Sequence, residues 1–145
     1  MIIIFKNLDN TCGIIHPAPE ALEVMSIEDI ALKDVPSGLS YRICALEDIP
    51  TDRYFREAWA DDGGVVNILM SRAKDVHMNN VRNARDKKFI EMGFPYKLDS
   101  DLEEAIIPIE TRTILQTLRN IPQTLDFSGV SSPEELRGIW PRELR

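Results

Sequence analysis

"NILMSRAKDVHMNNVRNARDKKFIEM", residues 67–92, contains neither proline nor glycine and is dominated by helix formers. The simplest reading is one helix of roughly 25 residues, about 38 Å long at 1.5 Å per residue. Its apolar stripe is narrow. Met70, Ala73, His77, Val81 and Ala84 recur at a three-four spacing, which suits a helix that pairs with another helix in a coiled-coil manner. Asn80 and Asn83 lie near this seam, where polar residues set the register of a helix contact. The five seam residues are therefore expected to bind a partner, either a second copy or another protein.

The chain before this helix has a different texture. "IIIFKNLDNTCGIIHP" (2–17) reads as a β-hairpin, because two β-branched runs flank a polar turn at Asn7 to Asn10 and Pro17 ends the pairing. A short helix is expected from Ile27 to about Lys33, with Ser26 as its cap and Glu28 and Asp29 at the positive end of its dipole. "LSYRICAL" (39–46) alternates as a strand, with Tyr41, Ile43 and Ala45 on one face. "TDRYFREAWADDGG" (51–64) reads as a short helix capped by Thr51, carrying Phe55 and Trp59 on one face and ending at Asp61, Asp62 and two glycines. The fold class is thus α+β, with a compact α+β module over 1–64.

Beyond the long helix, Gly93 and Pro95 break the chain. A second helix is expected from Ser100, with Glu103 closing a capping box, to Asn120, with a kink or restart at Pro108. Arg82, Arg85, Lys87 and Lys88 on the first helix oppose Asp99, Asp101, Glu103 and Glu104 on the second, which favours an antiparallel helical hairpin over 65–122. "LRNIP" (118–122) would end it, as "LKDVP" (32–36) and "LEDIP" (46–50) punctuate the chain earlier. The remainder, 123–145, is a polar link and a short helix with Ser132 as cap, Pro133 at its first position and Glu135 in a capping box. Leu136, Ile139 and Trp140 form the apolar face of this terminal hook, and a partner surface is their expected destination; the alternative is that the hook folds back onto the N-terminal module, with Phe55 and Trp59 receiving it.

At 145 residues the chain holds one modest core, or one small globular part with an elongated appendage. Lys+Arg 17 against Asp+Glu 24 gives a net charge of -7, which argues against general affinity for nucleic acid or anionic membranes. No apolar run approaches the roughly 20 residues that span a bilayer. The start turns polar after five residues, so no secretory leader is expected, and Cys12 and Cys44 are expected to be free thiols in a reducing cytoplasm.

Catalytic signatures are missing from the sequence: it has no phosphate-binding loop, dinucleotide glycine pattern, zincin motif or nucleophile elbow. Cys12, His16, Cys44 and His77 are the soft ligands, and their spacing does not make a zinc site, so no metal and no cofactor is expected. Asp61 and Asp62 read as a helix terminus followed by a Gly-Gly turn, not as a metal or acid-base pair. The basic residues of 72–88 are interleaved with Asp75 and Asp86, so a solvated or partner-facing helix is preferred; a nucleic-acid or regulatory binding protein using that helix is the alternative.

Two blocks carry a family resemblance. "TILQTLRNIPQTLDFSGVSSPEELRGIWPREL" (113–144) resembles the C-terminal part of small tail-gene proteins of tailed bacteriophages, the phage tail assembly chaperone or tail-fibre assembly proteins. Leu118, Arg119, Asn120, Ile121 and Pro122 match one phrase of that family, and Trp140 with Pro141 the other. "DVPSGLSYRICALEDIPTDRYFREAWADD" (34–62) is similar to a segment of such proteins. The resemblance implies a non-catalytic protein that binds a tail or tail-fibre component, as an assembly chaperone or a virion subunit. It would act in the host cytoplasm during assembly or in the virion tail. Its motifs are structural, so the resemblance supplies no active-site residue.

Overall fold

The computed structural model describes residues 1–94 and 106–145. Its architecture is α+β, with a small sheet and several helices. The chain divides into two compact units, Met1–Ala73 and Lys74–Arg145, each described in turn.

In the first unit, β1 (Ile2–Lys6) and β2 (Cys12–Ile15) form the hairpin, and β3 (Tyr41–Cys44) pairs on the other flank of β1, giving the antiparallel order β2-β1-β3. The turn is locked by its own polar side chains. Asp9 Oδ1 accepts from Thr11 N at 3.0 Å and from Thr11 Oγ1 at 2.6 Å, and Asn10 takes the left-handed conformation at φ 66°. Strand alternation then sorts the side chains. Ile3, Ile15 and Ile43 face α2 (Ile27–Asp34), whose Ile30 and Ala31 are buried against them. Ser26 caps α2 by accepting from Asp29 N at 3.1 Å. The four-residue α1 (Pro19–Leu22) precedes it. The other face of the sheet, with Ile2, Ile4, Cys44, Cys12 and Ile14, packs on Ile49, Trp59 and Val66.

The expected helix over 51–64 does not form. Its place is taken by a single 3-10 turn, Arg56–Ala58, after which Trp59 opens β4 (Trp59–Ala60), paired antiparallel with β5 (Asn67–Ile68). Trp59 is therefore buried from a strand, not from a helix face shared with Phe55. The pairing of Trp59 with Ile68 also keeps Asn67 and Ile68 out of the long helix. That helix, α3, runs from Met70 to Glu91. Its first turn is tied to the sheet side of the chain: Leu69 N donates to Ala58 O at 2.9 Å, and Arg72 bridges to Asp9 at 2.7 Å. For this reason the first unit extends past Gly64, as far as Ala73.

In the second unit, α3 packs with α4 (Ile109–Thr124) around Val81, Phe89, Ile107, Leu115, Leu118 and Ile121. The helices run antiparallel. Lys88 and Met92, late in α3, share a groove with Thr113 and Ile114, early in α4, while His77 meets Phe127 just after α4. The chain restarts at Pro108, which is the cap of α4. The Ser100 capping box and the four acidic residues expected to face the basic helix lie outside the described residues. "LRNIP" does not end α4, which continues through Pro122 to Thr124. Pro122 has no N–H for the Leu118 carbonyl, and the helix ends two residues after it, at Thr124. Last comes α5 (Pro133–Gly138), capped by Ser132 accepting from Glu135 N at 3.2 Å, followed by a 3-10 turn at Arg142–Leu144.

Candidate functional site

The line of buried residues on α3 follows the expected seam at Ala73, His77 and Val81 and departs from it at both ends. Ala73, His77, Val81, Arg85 and Phe89 are buried, at strict four-residue steps that rotate about 40° each around the helix. Met70 and Ala84 are only half-buried. His77 and Val81 are 0 % exposed within the chain, so the seam is not an open docking face in this conformation. Arg85 and Phe89 extend the line beyond the expected seam. Arg85 fits there because its stem packs while its guanidinium holds Asp86 at 2.8 Å.

The C-terminal hook is what covers His77. The His77 Nε2–H donates to the Ile139 carbonyl at 2.8 Å, which requires the proton on that nitrogen. Phe127 and Trp140 stack edge-on against the imidazole at centroid distances of 5.4 and 5.8 Å. Leu136 is fully buried, and Trp140 and Leu144 pack onto the α3–α4 cluster. Leu136, Ile139 and Trp140 thus close the core of the second unit. Phe55 and Trp59 are core residues of the first unit.

Beside that clasp, α3 and α4 leave an apolar groove of about 270 Å³, lined by Lys88, Met92, Thr113, Ile114, Leu118 and Glu143 among others. Ile114 on its wall is 51 % exposed and Ile109 on the same helix 71 %.

The strongest polar constellation lies in the first unit, at Arg42 and Asp61. Arg42 donates to the Asp61 carboxylate from Nε at 3.0 Å and from Nη2 at 2.8 Å, and Nη2 also reaches the Gly64 carbonyl. This bidentate pair, reinforced by the Gly63 N–H at 3.2 Å, holds the Asp61 carboxyl below the usual carboxylate range. Asp62 is occupied differently, accepting from Gly64 N and from Asn67 Nδ2. Both aspartates therefore build the β4–β5 turn. A sequence signal for the pair exists: alternation in "YRIC" sends Arg42 to the same buried face as Cys44, where a cation needs a counter-charge.

The soft ligands do not converge. Cys12 lies opposite Lys6 and Cys44 opposite Ile2, on opposite flanks of β1, so roughly 16 Å separates them by strand spacing, too far for a disulfide. Burial and the nearby Asp61 charge push the Cys12 thiol up to about 11, and burial likewise raises that of Cys44. His16 is exposed past the end of β2, and His77 lies in the second unit. Among the described residues no three His, Cys, Asp or Glu side chains gather as a metal-binding group. Of the basic residues at 72–88, Arg72 is paired with Asp9 and Arg85 is buried, so they do not form one open stripe. No helix of the described residues is long and apolar enough to cross a membrane.

Against known proteins, the chain matches no family model, no curated protein and no solved structure.

Proposed function

We propose that the chain is a non-catalytic bacteriophage tail protein that binds a tail or tail-fibre component, as an assembly chaperone or as a subunit retained in the virion. The observation that carries this reading is the resemblance of residues 34–62 and 113–144 to small phage tail-gene proteins. The groove between α3 and α4 supports it from a different direction. Exposed aliphatic side chains beside an apolar hollow are a common form of protein docking surface, and Ile109 and Ile114 supply them here. Lys88 and Glu143 at the groove give an approaching partner a charged rim for orientation.

The test is co-purification of the tagged chain with phage tail and tail-fibre proteins, followed by mass spectrometry of purified virions. Capture of a tail or fibre protein that is lost on Ile114→Glu supports the reading, and presence in the virion selects the subunit role over the chaperone role. Salt-dependent retention of nucleic acid with no tail protein captured would replace it with the basic-helix alternative.

A further inference from the structure

The hairpin has an open side. Asn7 N donates to Thr11 O at 2.8 Å, so in the register that pairs Phe5 with Gly13 and Ile3 with Ile15 those residues carry the ladder bonds of β1 and β2. The alternating residues of β2, Cys12 and Ile14, must then aim their backbone N–H and C=O away from β1. Strand β2 is the edge of the sheet, and no other residue among those described bonds to these four groups. Edge strands are usually guarded by lysine, internal proline or a bulge. From Thr11 to His16 the chain has none of these. The opposite edge, β3, carries Arg42 at its centre.

The space beside this edge is a cleft of about 460 Å³, with Arg56, Glu57 and Arg72 along its wall. Arg72 is neutralised by Asp9, whereas Arg56 and Glu57 form no ion pair among the described residues. A strand entering the cleft therefore meets one unanswered cation and one unanswered anion. A partner of a single charge sign would mismatch one of them, while a two-fold copy of the same surface offers both signs in return.

We propose that β2 is a self-pairing edge, through which two copies of this chain join their sheets antiparallel about an axis at Gly13. Cys12 of each copy then bonds Ile14 of the other, making four backbone hydrogen bonds. Gly13 meets its counterpart as the closely spaced non-bonded pair, where the absence of a side chain removes the obstacle. The result is a continuous six-stranded sheet. Two short edges bury less than the roughly 1,200 Å² of a stable interface, so the dimer is weak and depends on concentration. This inference does not rest on the tail-protein reading.

Hydrogen exchange on the full chain, followed from about 10 µM to about 1 mM alongside sedimentation, tests it. The amides of Cys12 and Ile14 should become protected in step with dimer formation. Ile14→Pro removes only an outward N–H and leaves the hairpin ladder intact, and it should weaken association at least about tenfold, the loss of two symmetry-related bonds. Arg56→Glu should weaken it as well, and Arg56→Glu combined with Glu57→Arg should restore it. Exchange at Cys12 and Ile14 that does not change across the concentration range, in the unaltered protein, would overturn the proposal. So would a dimer that forms while both amides stay unprotected.

Discussion

Asp61 shows how one residue's role changes once its neighbours are known. In the sequence it stands with Asp62 ahead of two glycines, and a turn is the natural reading; the turn is there, but the carboxylate also neutralises the only arginine of β3. Both side chains are largely shielded, at 25 % and 11 % exposure, so removing one leaves a poorly solvated charge. Asp61→Asn should destabilise the protein by about 2 kcal/mol near neutral pH, measured by urea denaturation. The folded-state carboxyl is held below its ordinary value, so its contribution is fully present above the unfolded range near about pH 4 and disappears as pH falls through the folded value. The difference between the two proteins should therefore be constant above about pH 5 and shrink below about pH 4. At the same scale, the Cys12 thiol, raised to about 11, stays protonated at neutral pH. Its alkylation by iodoacetamide should be slow at pH 7 and climb until the pH approaches about 11; fast modification at pH 7 would contradict the environment described.

Among the elements, the hairpin was legible because its signals are local: β-branched alternation, a four-residue polar turn and a closing proline. The caps at Ser26 and Ser132 were legible for the same reason, since a hydroxyl three residues before an acidic residue meets its target within one turn. The segment 51–64 was not. Its helical spacing of Phe55 and Trp59 competes with a long-range alternative, the Trp59–Ile68 ladder, and burial of Trp59 against Ile2 and Ile4 outweighs a weak local propensity. Gly13 gives an element-scale prediction. A Cβ there would lie 2.2 Å from Phe5 Cζ, because the ring folds across the glycine from the neighbouring strand. Gly13→Ala should cost about 1–3 kcal/mol, and the cost should fall to near zero in a Phe5→Ala background. Equal costs in both backgrounds would place the strain elsewhere.

For the whole molecule, the decisive difference concerns the terminal hook. Leu136, Ile139 and Trp140 looked like a face offered to a partner, and in the structure they complete the second unit around His77. Trp140→Ala removes a half-buried indole and its contact with the imidazole. It should lower the stability of the second unit by about 2–3 kcal/mol, read from amide exchange in residues 74–145. An unchanged exchange pattern would return the hook to a docking role. The sequence alone determined the α+β class, the hairpin, the long helix and the capped helices, because each depends on groups within a few residues of one another. Tertiary structure alone decided that α4 runs through Pro122, that Arg42 meets Asp61, that Trp59 lies in a strand and that the α3 seam is filled by the chain's own end. Those outcomes depend on which distant surfaces bury the most apolar area together and which buried charges find a counter-ion, and neither quantity is written in local spacing.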